Sequence, residues 1–200
     1  MQKNLEHFYI GDACGGNQDW FRDRMMKLGG CAAVCACDTC IYLARTRGLA
    51  ALYPFDANAL TREDYIRFSQ VMKPYLRPRW EGIDRTELYT EGFSQYLRDR
   101  GETRLSMTAL PGSRPGEEAQ TAVAAQIDDG LPVPCLLLKH RDPALDEYVW
   151  HWFLFTGYQR TDTDFLVRAT TYGTNRVLSL PRLWDTGFRR RGGLILYRMA

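Results

Sequence analysis

The stretch Gly29-Gly30-Cys31-Ala32-Ala33-Val34-Cys35-Ala36-Cys37-Asp38-Thr39-Cys40-Ile41-Tyr42-Leu43-Ala44-Arg45-Thr46-Arg47-Gly48 decides how the rest of the chain is read. Two glycines open it and one closes it, so it predicts a helix beginning at Cys31, running to about Arg47 and stopping at Gly48. Between Cys31 and Ala44 the only charged residue is Asp38. A helix this apolar must be covered on several faces, which makes it the central helix of a globular domain.

Four of the six cysteines, Cys31, Cys35, Cys37 and Cys40, fall within ten residues of this stretch, a density that raises metal or iron–sulfur binding. Helical geometry argues against it. At about 100° per residue, Cys35 lies about 40° from Cys31, whereas Cys37 and Cys40 lie about 240° and 180° away. Ligands on opposite faces do not converge on one ion, and neither a metal nor any other cofactor is expected. Disulfides do not form within one helix at these spacings, so Cys37 and Cys40 read as small buried hydrophobes.

Cys31 is different, because the first turn of a helix carries unpaired N–H groups and the positive end of the dipole. Both favour a thiolate, and the preceding glycines leave room for a substrate. A packed, inert thiol is the competing reading. The choice turns on whether a base is available.

Working outward, 200 residues with 45% hydrophobic and 25% charged side chains suit a single globular domain spanning 1–200. Residues 1–100 read mostly as a helical lobe and 101–200 mostly as β structure. No window approaches the roughly 20 apolar residues of a membrane span, and residues 1–12 lack the apolar core of a secretory signal, so a cytoplasmic location is expected. A net charge of +2 gives no field that would gather nucleic acid. The basic residues are nonetheless nearly all arginine, with only four lysines, and Arg189, Arg190 and Arg191 form a run that reads first as a solvated turn.

In the helical half, residues 19–28 form a short amphipathic stretch before Gly29. Thr61 with Asp64 opens a further helix in a capping-box pattern that continues toward Met72, and a fourth helix covers about residues 86–100. Beyond Gly101 come a strand at 103–110 and a helix at 115–129 closed by Gly130. Strand patterns follow at 133–139, 148–158, 164–171, 176–180 and 193–199. Helices first and consecutive short-looped strands second is the α+β pattern with an antiparallel sheet, and the site should lie where the two halves meet.

Of three histidines, His151 is the best placed, on a strand whose one face carries Val149, His151, Phe153 and Phe155. A core histidine is the bland reading. A strand histidine downstream of a helix-start cysteine is also how a Cys–His pair is assembled from two lobes. Such a pair needs oxyanion donors and a group that orients the imidazole. Gln18 and Asn17 are candidates for the first role, Asn17 being equally readable as a helix cap. For the second, a hairpin turn centred near Thr161 brings Thr170, Thr171 and their neighbours beside His151. None is Asp or Asn, so a threonine hydroxyl, with Thr171 the candidate, or a backbone carbonyl must fix the tautomer.

Taken together, the run from Asn17-Gln18-Asp19-Trp20 to Gly29-Gly30-Cys31-Ala32-Ala33, then Asp129-Gly130-Leu131-Pro132-Val133, then His151-Trp152-Phe153-Leu154-Phe155-Thr156-Gly157-Tyr158, resembles papain-like cysteine peptidases of the bacteriocin-processing, double-glycine-peptidase-like type. The resemblance implies a papain-like α+β fold of bacterial type, with Cys31 as nucleophile, His151 as base and Gln18 as oxyanion donor. The chain departs from that pattern at Ala32, where the family has Gly, and at Thr170-Thr171-Tyr172-Gly173, where it has Asp or Asn.

The expected function is therefore hydrolysis of a peptide or amide bond by Cys–His acyl transfer on a peptide or protein substrate. The main alternative is a catalytically silent domain that binds a peptide or partner in the same cleft. Specificity is expected from residues 77–85 and 110–116, and of Trp20, Trp80, Trp150, Trp152 and Trp184 most should be core.

Overall fold

The computed structural model describes residues 1–80 and 82–200, so Glu81, within the expected specificity segment 77–85, lies outside the described residues. The elements follow the local sequence signals closely. Helix α2 spans Cys31–Arg47 and ends where Gly48 takes the left-handed conformation (φ 65°), with α1 (Arg24–Gly29) just before it. Thr61 caps α3 (Arg62–Met72), its hydroxyl accepting from the Asp64 N–H at 3.0 Å and donating to the Asp64 carboxylate at 2.9 Å. Helices α4 (Thr86–Asp99), α5 (Gly116–Asp128) and α6 (Leu180–Trp184) complete the set; α6 is a short addition the sequence pattern did not indicate.

The strands are β1 (Gln2–Asn4), β2 (Tyr9–Ile10), β3 (Ala13–Cys14), β4 (Leu105–Pro111), β5 (Val133–Leu137), β6 (His151–Arg160), β7 (Phe165–Thr171), β8 (Thr174–Ser179) and β9 (Gly193–Met199). Six of them form an antiparallel sheet in the order β4-β9-β5-β6-β7-β8, and β1 adds to the far end of β6, beside Gly157–Gln159. The fold is thus α+β with an antiparallel sheet. The helical half is not purely helical, because β1 belongs to that sheet and β2 pairs with β3.

Residues 19–28 are not one helix. Asn17 caps a single 3₁₀ turn at Gln18–Trp20, Phe21 is extended, and the Asp23 carboxylate accepts from the Met26 N–H to start α1. Two capping side chains six residues apart cut the stretch into two turns.

Strand β6 is buried from His151 to Tyr158 and carries α2 on one side. Trp152 is core: its ring stacks on Tyr89 at 4.8 Å and its Nε1 donates to the Ile83 carbonyl at 2.6 Å. The β6–β7 turn centres between Asp162 and Thr163, later than Thr161, and the bulge between Phe155 and Gly157 takes back only part of that offset, so the ladder ends at Leu154 opposite Thr170 and Thr171 stands about two residues from its expected partner. No helix among the described residues is long and apolar enough to cross a membrane.

Candidate active site

Cys31 is the first residue of α2, and the glycine before it is a packing requirement. A Cβ at Gly30 would collide with the Met26 carbonyl and touch the Phe21 ring at 3.2 Å. Gly30, at φ −89°, therefore lets the turn of α1 fold tightly back before α2 begins, while Gly29 borders the open cleft. The first N–H groups of α2 have no intrahelical acceptor; the earliest such bond runs from Val34 N–H to the Gly30 carbonyl at 2.9 Å.

His151 opens β6 across from Cys31. Its Nε2 lies 2.7 Å from the Thr171 hydroxyl, so the side-chain contact expected of Thr171 is made despite the register shift. Thr170 turns to the other face and pairs with the Thr156 hydroxyl at 2.8 Å. With Nε2 engaged by Thr171, Nδ1 is the nitrogen left to accept a proton, and that tautomer makes Nε2–H the donor to Thr171.

Thr171 is followed by Tyr172 and Gly173, the two residues that join β7 to β8. Both are left-handed, at φ 49° and φ 72°, the geometry of a tight hairpin turn. The Tyr172 ring lies flat on the imidazole of His151, with centroids 4.8 Å apart and planes 4° from parallel. This turn is clamped by the N-terminal segment: Cys14 N–H donates to the Gly173 carbonyl (2.8 Å), Gly173 N–H to the Gly16 carbonyl (3.1 Å) and Asn17 Nδ2 to the Tyr172 carbonyl (3.1 Å). Asn17 is accordingly a cap and a clamp, its Oδ1 accepting from the Asp19 N–H at 2.8 Å.

Gln18 borders the same cleft and is buried. Its Nε2 donates to the Lys27 carbonyl at 2.7 Å, which fixes the amide orientation, since the flipped amide would set oxygen against oxygen. One amide N–H remains for another acceptor, and Oε1 is buried without a partner among the described residues.

Asp38, the single charge of the apolar stretch of α2, secures this arrangement from behind. Its carboxylate accepts from the Gly16 N–H at 3.1 Å and from the Tyr65 hydroxyl at 2.8 Å, and His7 Nε2 stands 3.7 Å away. The sequence displayed this residue as a lone charge on a buried helix, without indicating what it held. For Tyr172 the signal was a Tyr-Gly pair between two strand patterns; for Trp150, which is also left-handed at φ 54°, no local signal exists.

The cleft measures about 380 Å³, within the range of small-ligand and peptide-side-chain sites. Buried Gln18, Gly29, Cys31 and His151 line it together with exposed Leu28, Trp80, Trp150 and Tyr172, and with Gly82, Val149 and Glu147, whose carboxylate pairs with Arg176 at 3.0 Å. Of residues 77–85, Trp80 and Gly82 line the cleft. Residues 110–116 do not reach the cleft: Gly112 packs on Gly192, and the Arg114 carbonyl accepts from Trp184 Nε1 at 2.7 Å.

The electrostatics correct one expectation. Burial pushes the Cys31 thiol up from its ordinary range, outweighing the N–H groups of Trp152, Ala32 and Cys31 itself that favour the thiolate. Burial likewise lowers His151 to about 4. The resting pair is a neutral thiol facing a neutral imidazole, and no hydrogen bond joins them among the described residues. Cys35, Cys37, Cys40 and Cys135 are free, buried and pushed up further by the same cause. Among the described residues no group of three or more His, Cys, Asp or Glu side chains is placed to hold a metal ion.

No protein-family model matches this chain, and no curated protein or solved structure is significantly similar to it.

Proposed function

We propose that this chain is a papain-like cysteine hydrolase that cleaves an amide or peptide bond. The observation that carries this reading is the shared cleft: Cys31 at a helix start, Gln18 beside it, and His151 with Nε2 2.7 Å from the Thr171 hydroxyl. Sγ of Cys31 attacks the substrate carbonyl carbon as its proton passes to Nδ1 of His151, and the carbonyl π pair moves onto oxygen. The oxyanion is met by the free N–H groups at the start of α2 and the remaining amide N–H of Gln18. Collapse breaks the C–N bond, with the imidazolium protonating the leaving amine. Water, deprotonated by His151, then hydrolyses the thioester and returns the thiol.

Because both groups rest neutral, proton transfer accompanies attack and does not precede it. The same two shifts are what favour the rival reading, a silent domain that binds a peptide in this cleft. Labelling with a peptidyl chloromethyl ketone separates the two. The hydrolase reading expects one equivalent of label on Cys31, none on Cys31→Ala, and unchanged labelling in Cys35→Ser. Equal labelling of wild type and Cys31→Ala would remove Cys31 from the scheme.

A further inference from the structure

Past Trp80 the cleft continues into a second groove of about 530 Å³, lined by Arg79, Trp80, Gly82, Asp84, Arg85 and Arg190. Trp80 and Gly82 border both spaces, so one extended ligand can occupy the two together. The lining of the groove carries three arginines, Arg79, Arg85 and Arg190, against the single carboxylate of Asp84. Arg190 is held in place: it pairs with Asp84, and its guanidinium lies 5.4 Å over the Trp150 ring at the cleft edge. Arg79 and Arg85 form no ion pair among the described residues. The arginine run read from sequence as a solvated turn thus reaches the cleft wall through its middle residue.

The apolar rim has a matching character. Leu28, Trp80, Trp150 and Tyr172 are all solvent-exposed, Trp80 at 86%, although most large apolar side chains of this protein are buried. Exposed tryptophan beside arginine is the composition of surfaces that bind other chains.

We propose that the substrate of this site is an acidic peptide segment, with a bulky apolar side chain seated among Leu28, Trp80 and Trp150, and with Asp or Glu carboxylates on the side of the attacked bond that passes Trp80 into the arginine groove. The inference rests on the hydrolase reading only in taking the same cleft as the seat of the substrate. Apolar burial fixes the residue at the attacked carbonyl, and the arginines select and steer the flanking charge.

The test uses the full chain carrying Cys31→Ala and three short fluorescein-labelled peptides: Leu-Trp flanked by glutamates, the same peptide with Gln for every Glu, and the acidic peptide with Ala-Ala for Leu-Trp. Anisotropy at low salt should give the first peptide an affinity about tenfold above either of the others, an advantage over the Gln peptide that shrinks at high salt. The double substitution Arg79→Gln with Arg85→Gln should remove about tenfold from the acidic peptide and leave the Gln peptide unchanged. Equal binding of the Glu and Gln peptides, no binding of either, or tighter binding of an oligothymidylate of equal length would overturn the proposal. Incubating the same peptides with wild-type protein keeps the two claims apart. Charge-selective binding without cleavage removes the hydrolase reading alone, whereas cleavage indifferent to Glu or Gln removes the acidic-substrate inference alone.

Discussion

Tyr172 holds a left-handed backbone (φ 49°) that costs a residue with a bulky side chain about 1 kcal/mol, at a turn position where glycine would sit without strain. Its ring compensates by covering the imidazole of His151, keeping water from a group whose burial lowers it to about 4. The sign of the resulting pH dependence follows directly. An unfolded chain takes up the His151 proton near 6.5, while the folded protein refuses it until about 4. Stability is therefore lost as pH falls through that window, by up to about 3 kcal/mol. Replacing Tyr172 with Gly relieves the strain and removes the compensating ring together, so stability well above pH 6.5 should change by no more than about 1 kcal/mol. The same substitution should also move the His151 titration, followed by the imidazole Cε1–H resonance, from about 4 toward 6.5, with a shallower loss of stability between those values. An unchanged titration would mean that Tyr172 does not shield the ring.

Helix α2 does two jobs from one face: its first residue supplies the thiol, and Asp38, seven residues and so about two turns on, grips the segment that clamps the Tyr172–Gly173 turn. Asp38→Ala leaves the Gly16 N–H and the Tyr65 hydroxyl without their acceptor inside the core and should cost about 3 kcal/mol in urea denaturation. Asp38→Asn retains an acceptor for one of them and should cost about 1 kcal/mol. Equal losses in the two variants would assign the effect to packing alone. The bounds of α2 and the cap of α3 were legible in the sequence because Gly48, Thr61 and Asp64 act on their own neighbours. The 3₁₀ turn at Gln18–Trp20 was not, because Asn17 and Asp23 each cap a turn too short for a hydrophobic period to develop. Thr171 was found only approximately, since the β6–β7 turn centres between Asp162 and Thr163, past Thr161, and the bulge between Phe155 and Gly157 recovers only part of that offset. Asp38 and Tyr172 act on residues 22 and 21 positions away, on Gly16 and His151, and local pattern carries no record of such pairings.

The cleft draws its parts from both halves of the chain, residues 18–31 with Trp80 and Gly82 on one side and 147–151 with Tyr172 on the other, brought together where α2 packs on β6. Gln18 and Cys31 come from the helical side and His151 from the sheet, where Thr171 engages its ring, and the N-terminal segment is bound across the adjacent turn that joins β7 to β8. The central claim is a neutral thiol and a neutral imidazole buried in the floor of an open cleft, with Cys31 acylated as His151 takes its proton. The direct measurement is rapid mixing of the protein with an activated peptide ester, the adduct being located by peptide mass spectrometry. One acyl group per chain should appear on Cys31 in a burst. It should be absent in Cys31→Ala and form about a hundredfold more slowly in His151→Ala, the usual worth of a positioned general base. An adduct on another residue, or one formed on Cys31 at the wild-type rate without His151, would contradict the account.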